Sequence, residues 1–368
     1  MKILFLGDYS NYHHTLATAL LRMGHDVTVA SNGSRWMDTS RDIDISRPFS
    51  SKLGGALLWM KLSTLLNQRL KGYDIVQINN PVFIDQRPNR VRQLFERLRR
   101  DNGSVFMTAM GTDSYFVEMA TAVDSKLRYS EWQINGTPGP ICHKKDAWLN
   151  PLLANHCRYI YDNIDGVITA LYEYDLAVRR ILPAEMVCYG GIPIDTASTE
   201  PMIITESPSV VNLFLGMHRD RKQEKGTDRI EIAAKAVAKK HSDYCRLEIV
   251  ENLPYNEYLK RLCNAHVVLD QLYSYTPATN ALLAMAMGHN VVSGAEPEYY
   301  EFIGEKENHP IINALPDDEV LFSTIENIVL HPDEIPSRSK MGRDFVVKHN
   351  DSAVVAQRFV DFWEKRIK

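Results

Sequence analysis

The chain has 368 residues, with 42 lysines and arginines against 46 aspartates and glutamates, for a formal net charge of −4. The length suggests two domains of ordinary size, and 45% hydrophobic with 24% charged residues speaks against disorder over much of the chain. The small acid excess argues against general nucleic-acid binding, which needs basic surface to neutralise phosphates.

In chain order, the first half alternates short apolar strands with helical patterns. Ile3 to Leu6 reads as a buried strand, too short for a signal-peptide core and ended by Gly7-Asp8. Leu16, Ala17, Leu20 and Leu21 recur at helical spacing, and Gly24 is placed to end that helix. Further strands are expected at Val27–Ala30, Asp74–Ile78, Val105–Thr108, Gly166–Ala170 and Met186–Tyr189. Thr199 to Ser209 turns polar and reads as a linker. The alternation then restarts, with strands at Val210–Leu215, Arg246–Val250, His266–Asp270 and Asn290–Ser293. Helices are expected at Asp228–Lys240, Tyr255–Ala265 and Pro277–Met287. A last helix over Val354–Lys368 has the apolar stripe Val355, Phe359, Phe362 and Trp363. Strands separated by helices indicate parallel βαβ units, so the pattern gives two successive α/β domains and a terminal helix. The domain boundaries follow: 1–200, 209–350 and a terminal helix at 351–368. No apolar run approaches the roughly 20 residues of a membrane span.

The first strand-to-helix turn, Gly7-Asp8-Tyr9-Ser10-Asn11-Tyr12-His13-His14, has one of the three glycines of a nicotinamide-binding turn, which counts against a dehydrogenase. Polar residues at the carboxyl end of a parallel strand tend to face the ligand crevice, so His13 or His14 is a candidate for substrate contact; helix capping and surface exposure explain them equally well. Gly216 to Thr227 follows a strand and precedes a helix. Its Arg221 and Lys225, four apart on the approach to Gly226, could meet a phosphate, although the spacing is not that of a Walker loop and a solvated charged loop has the same composition. In the stretch Tyr273 to Asn280, Thr276 is a candidate N-cap and Pro277 a candidate first helical residue. The N–H groups of Ala278, Thr279 and Asn280 would then form an anion site at the helix N-terminus. Two phosphate-competent loops in one domain suggest a diphosphate, and a nucleotide diphosphate carrying a sugar fits better than a single phosphate.

Other constellations carry less. Asp42-Ile43-Asp44 matches a metal-binding D-x-D string but lies outside the domain that carries the two phosphate-competent loops. Cys142-His143 and His156-Cys157 match no common zinc spacing. The five cysteines, odd in number and widely spaced, imply no disulfide framework and fit a reducing cytoplasm. Glu298, just after a strand, is a candidate for a sugar or ribose hydroxyl, with a helix start as the plain alternative. Ser50 to Gly72 combines Leu53, Ala56, Leu57, Leu58, Trp59, Met60, Leu62, Leu65 and Leu66 with Lys52, Lys61, Arg69 and Lys71. A core-facing helix accounts for it better than a membrane-surface segment.

Taken in order, these motifs resemble the GT-B glycosyltransferases, most closely the glycosyltransferase family 4 type. The resemblance rests on Lys2 to Gly7, Gly24-His25-Asp26-Val27-Thr28-Val29, Tyr73-Asp74-Ile75-Val76, Gly111-Thr112-Asp113 and Lys225-Gly226-Thr227. It rests most on Ala265 to Gln271 followed by Ala284 to Val292. It implies two Rossmann-like, doubly wound α/β domains facing a cleft, the donor held mainly by the second and the acceptor by the first. By resemblance Arg221 and Lys225 stabilise the leaving diphosphate without a bound metal or other cofactor. Thr112 and Asp113 join His13 and His14 on the acceptor side. The family's paired glutamates are replaced by Tyr275 and Leu283, and the histidine often found before Gly111 by Met110. Phosphate recognition by backbone N–H groups is expected to survive, with hydroxyl recognition moved to Tyr275 or Glu298. The expected activity is transfer of a sugar from a nucleotide-diphosphate sugar to a hydroxyl of a glycan or lipid-linked saccharide. Anomeric configuration would be retained, in polysaccharide biosynthesis, in the cytoplasm or at the inner face of the membrane. No residue is assigned as catalytic. The alternatives are a sugar-nucleotide epimerase of the same fold and a non-catalytic binding subunit.

Overall fold

The computed structural model describes residues 1–34, 37–64 and 67–367. Its strands are β1 (Lys2–Leu6), β2 (Asp26–Ser31), β3 (Ile43–Asp44), β4 (Ile75–Ile78), β5 (Ser104–Ala109), β6 (Gln133–Ile134), β7 (Thr137–Pro138), β8 (Gly166–Thr169), β9 (Val187–Tyr189), β10 (Val211–Met217), β11 (Cys245–Glu251), β12 (Val267–Leu269), β13 (Asn290–Ser293) and β14 (Ile312–Asn313). Two compact units result. The first comprises Met1–Met119, Asp146–Pro193 and Ser352–Lys368; the second comprises Ala120–Lys145 and Ile194–Asp351.

The first unit holds a parallel sheet of order β3-β2-β1-β4-β5-β8-β9, and the second a parallel sheet of order β11-β10-β12-β13-β14. Ile3, Leu4, Phe5 and Leu6 are all buried, as expected of a strand covered on both faces. In each sheet the order reverses beside the first strand, between β1 and β4 and between β10 and β12. Ligands of open α/β sheets bind outside the carboxyl ends of the strands at such reversals.

One face of the first sheet packs Leu4, Leu6, Val76, Ile78, Val105 and Met107 with Leu58, Leu62, Leu94 and Leu98. Toward the other face, the terminal helix Ser352–Glu364 sets Phe362 against Phe106, and Trp363 against Phe5. Trp363 Nε1 donates to Gln77 Oε1 at 2.9 Å. Gln77 Nε2 donates to Thr108 Oγ1, and Thr108 Oγ1 lies 3.1 Å from His13 Nε2. His13 Nδ1 donates to the Gly7 carbonyl at 2.7 Å, so the neutral ring leaves Nε2 to accept from Thr108. A buried polar chain thus links the terminal helix to the turn after β1. In the second unit, Leu213, Leu215, Val267, Leu269 and Val292 pack with Ile230, Ala234, Val237, Leu321 and Ile325.

Two domain assignments differ from the reading of the sequence. Ala120–Lys145, placed there in the first domain, belongs to the second unit, because the β6–β7 hairpin packs Ile134 against the second core and Arg128 bonds to Glu296. The second unit begins at Ile194 rather than after a linker, since Ile194 N–H donates to Asn350 O at 2.8 Å. Within the expected linker, Met202 N–H donates to Met287 O at 2.7 Å and Ile204 N–H to Ser339 Oγ at 2.9 Å, which ties it down. Asp42-Ile43-Asp44 forms part of the sheet edge: Asp42 Oδ2 accepts from Val29 N–H, and Asp44 pairs with Arg41. The segment around Lys52–Ser63 is a helix whose Leu58 and Leu62 enter the core, while Leu53 and Met60 are exposed; Leu65 and Leu66 lie outside the described residues. So does Lys368, the last residue of the expected terminal helix. No helix among the described residues is long and apolar enough to cross a membrane.

Candidate functional site

At the reversal in the second sheet, β10 delivers His218 and β12 delivers Asp270. Between β10 and the helix Thr227–Lys240 the chain makes a short helix, Lys222–Lys225, closed by Gly226 at φ 70°. Glycine is required there twice over. The left-handed backbone disfavours other residues, and a Cβ would sit 2.8 Å from Leu272 Cδ1. Leu272 N–H donates to Lys225 O at 2.9 Å. The two loops read as phosphate-competent therefore pack on each other.

Lys225 Nζ lies 3.7 Å from Asp270 Oδ1. Asp270 is 2% exposed, yet its carboxylate is well satisfied: Asn280 Nδ2 donates to Oδ1 at 3.0 Å and Ser293 Oγ to Oδ2 at 3.1 Å. Tyr258 OH donates in turn to Asn280 Oδ1 at 2.6 Å. Asn280 is thereby fixed in the first turn of the helix Thr279–Met287, whose N-cap is Ala278, with no side-chain cap. This corrects the expected start. Thr276 is buried but is not the N-cap; that position falls to Ala278, whose backbone is extended. Thr279 is the first helical residue, and the N-terminal N–H groups carry the positive end of the helix dipole. Thr227 Oγ1, just after Gly226, is buried without a hydrogen-bond partner. Arg221 is half exposed, and its Nε donates to Glu224 Oε1 at 2.9 Å, an i,i+3 pair within its own loop.

The expected hydroxyl-binding pair is engaged with the protein itself. Tyr275 is 0% exposed, its ring under the Arg128 guanidinium, and its hydroxyl oxygen accepts from Arg128 N–H at 2.6 Å. Burial pushes the Tyr275 phenol up to about 12. Glu298, in the first turn of the helix Pro297–Ile303, pairs with the Arg128 guanidinium. Burial alone would raise its pKa, but Arg128 outweighs this and holds it below the usual range. Glu296, which sequence reasoning passed over, is the centre of this group. Its carboxylate accepts from Arg128, from Tyr129 OH and, at 2.8 Å, from Asn313 Nδ2. Leu283 is half-buried on the helix Thr279–Met287.

The acceptor-side candidates of the first unit also resolve. His13 is 0% exposed with both ring nitrogens used, and burial pulls it down to about 3, so it is a neutral member of the buried chain. His14 is half-buried, its Nε2 2.6 Å from Ser40 Oγ. Asp113 caps the helix Ser114–Ala120, accepting from Phe116 N–H at 2.8 Å, and also accepts from Tyr161 OH at 2.7 Å. The Thr112 carbonyl accepts from Asn80 Nδ2. His156 Nε2 donates to Pro81 O at 2.8 Å. Asp270, Glu296 and the side-chain role of Asn280, which was noted only for its N–H, were missed; they had one legible signal: polar side chains at the ends of apolar strands or in the first turn of a helix.

No family model and no curated protein matches the chain. Solved structures do. Sucrose-phosphate synthase from Thermosynechococcus elongatus aligns over 99% of both chains at 14% identity, with a TM-score of 0.65. Anabaena HepE in complex with UDP-glucose aligns over 99% of this chain and 100% of its own, at 11% identity and a TM-score of 0.61. The S. aureus MnaA–UDP structure aligns over 99% of this chain and 96% of its own, at 10% identity and a TM-score of 0.56. At such identities the likeness is one of fold, and the chain has the two Rossmann-like α/β units of the GT-B fold.

Proposed function

We propose that the chain is a glycosyltransferase that moves a sugar from a nucleotide-diphosphate sugar to a hydroxyl of a glycan or lipid-linked saccharide, with retention of configuration. The observation that carries this reading is the placement of Lys225, beside the Thr279–Met287 helix loop, at the sheet reversal of the second unit. An ammonium and the positive end of a helix on adjoining loops suit a leaving diphosphate, whose charge grows in the transition state. The UDP and UDP-glucose in the MnaA and HepE structures support a uridine nucleotide as the first ligand to try. On this reading Lys225 and the helix N-terminus supply the positive charge, and no divalent metal is needed. Chelator treatment that abolished activity, with recovery on Mg²⁺, would overturn that part. Exposed Leu53 and Met60 beside Lys52 support a peripheral contact with an anionic membrane carrying the acceptor, checked by vesicle sedimentation.

The test is calorimetric titration with UDP and a panel of UDP-sugars, followed by turnover with the sugar that binds. Absence of binding by every nucleotide sugar would sink the proposal. A second reading, a non-catalytic nucleotide-sugar-binding subunit, is favoured by the covering of Tyr275 by Arg128. Binding without transfer or hydrolysis would select it.

A further inference from the structure

Near its end the chain crosses from one face of the second sheet to the other, around the edge strand β14, and leaves a groove there. Right-handed crossovers that run in opposite directions from the centre of the sheet put the helices Thr227–Lys240 and Thr279–Met287 on opposite faces. The helix Asp318–Leu330 joins the first of these, its Leu321 and Ile325 in the core with Ile230 and Ala234. The helix Ile335–His349 joins the second, with Gly342 against Met285. Beside β14, between the two late helices, lies a cavity of about 570 Å³. Pockets for small ligands run from about 300 to 1,000 Å³. A sheet edge is ordinarily paired, covered or blunted by charge; this one contributes Ile311, Ile312 and Asn313 to the cavity wall.

The lining has a definite chemistry. Thr324, Asn327, Ile328 and His331 come from successive turns of one helix face, at steps of three and four. The side chains of Thr324 and Asn327 bond to no other described residue, and His331 engages only Nδ1, 2.9 Å from the Asn327 carbonyl. Asn327 and His331 are exposed and Thr324 partly so, which leaves their donors and acceptors open to a ligand. At the wall, Asn290 is 2% exposed; its Nδ2 donates to Ile335 O at 3.0 Å, while Oδ1 has no partner. The two formally charged side chains of the lining, Glu334 and Arg338, pair with each other at 2.7 Å. No cation is thus left over for a phosphate among the described residues that line the cavity, and no carboxylate for a metal or an amine. None of them is aromatic, so a planar base has no ring to stack on. Ile311, Ile312, Ile328 and Ile335 instead give an apolar patch beside uncharged hydroxyl, amide and imidazole groups. That combination matches the C–H face and the hydroxyl rim of a neutral sugar.

We propose that this groove is a second binding site of the second unit, for a neutral saccharide. Thr324, Asn327 and His331 exchange hydrogen bonds with its hydroxyls, and the isoleucines carry the ring. Neither Lys225 nor any residue bonded into its network lines the groove. Asn313 spends its amide on Ala295 N–H and on Glu296, both at 2.8 Å, and so serves as wall. The site therefore goes beyond the transferase reading and stands or falls without it.

The experiment is methyl NMR of the full chain, labelled at the isoleucine δ1 carbons, titrated with methyl glucoside, methyl galactoside, methyl mannoside and maltose. Glucose 6-phosphate and adenosine serve as the charged and the planar comparison. At least one neutral sugar is expected to shift the methyls of Ile311, Ile312, Ile328 and Ile335 together. Asn327→Leu and Thr324→Met lie on the outer face of the helix, where the fold is not at stake. In each, that affinity should fall about threefold to tenfold, as for the loss of one ordinary hydrogen bond. No shift of those four methyls with any neutral sugar would overturn the assignment. So would an affinity that both variants leave unchanged, or tighter binding there of glucose 6-phosphate or adenosine than of every neutral sugar.

Discussion

The carboxyl edges of the two sheets have the same topology and opposite states of satisfaction. In the second unit, Lys225, Asp270, Asn280, Tyr258 and Ser293 bond to one another, with Thr227 Oγ1 unpaired beside them, and Gly226 and Asn252 take positive φ. In the first unit, acceptors stand unpaired over strained turns, and the pairing lies deeper, in the Trp363–Gln77–Thr108–His13–Gly7 chain. A satisfied network holds a cation ready for an anionic ligand. An unsatisfied one leaves buried acceptors whose desolvation is not offset.

The largest test strikes the support of the first edge. Trp363→Ala empties a fully buried site and leaves Gln77 Oε1 unpaired, at an expected cost of about 3–5 kcal/mol. Trp363→Phe, which keeps the ring but not the N–H, should cost about 1–2 kcal/mol. Denaturant unfolding read from the two variants checks both. Near-equal, small losses would mean that the polar chain does not hold the edge, and the comparison would break there.

The pH dependence of stability sharpens it next. His13 is pulled down to about 3 from 6.5, so the unfolded chain binds the proton more tightly. Its contribution is complete above pH 6.5 and is lost as the pH falls toward 3. Asp8, raised to about 6 from 3.8, has the opposite sign: the folded chain binds the proton more tightly, and stability is gained as the pH falls from 6 to 4. The two nearly cancel in that window. Asp8→Asn should therefore lose roughly 2 kcal/mol relative to the native protein between pH 6 and pH 4, the slope approaching about 1.4 kcal/mol per unit only midway. Parallel stability curves for variant and native protein would show that burial does not raise the Asp8 carboxyl.

On the second edge, Lys225→Ala should weaken UDP binding by roughly 1.5–3 kcal/mol, or about tenfold to a hundredfold. Arg221→Ala should weaken it less than about threefold, since its guanidinium is half exposed and paired to Glu224 within its own loop. Equal effects, measured by calorimetry, would place Arg221 beside Lys225 at the diphosphate and undo the distinction drawn between them.

Much of the architecture was legible because parallel strands buried on both faces leave apolar runs, as at Ile3–Leu6 and Val267–Leu269, and the helices between them keep their period. The two-residue strands β3, β6, β7 and β14 leave no such run. The allegiance of Ala120–Lys145 was hidden for a different reason. It depends on Arg128 meeting Glu296 and Glu298, about 170 positions away, and on Ile134 finding the second core. Lys225 and Gly226 could be picked out by residue type and position. Asp270 passed as the end of a strand, and His13 drew notice as a polar residue in a turn although its bonds run inward.

Tyr275 gives the smallest effect and the clearest separation of roles. It stands where the resembled family carries a donor-binding glutamate, so a hydroxyl reaching the donor was the natural expectation. The structure instead puts that hydroxyl on the Arg128 N–H, under a guanidinium held by Glu296 and Glu298. Tyr275→Phe keeps the ring packed against Tyr129 and removes one hydrogen bond, leaving a single amide donor without its acceptor. The expected cost is about 1 kcal/mol of stability. Because the oxygen faces the Ala120–Lys145 segment, UDP-sugar affinity should be unchanged. A loss of affinity for the UDP-sugar but not for UDP would mean that the hydroxyl turns to the sugar when the donor arrives. In that case the Arg128 latch over Tyr275 would be a resting state that the donor opens, and the second edge would be less complete than its bonds suggest.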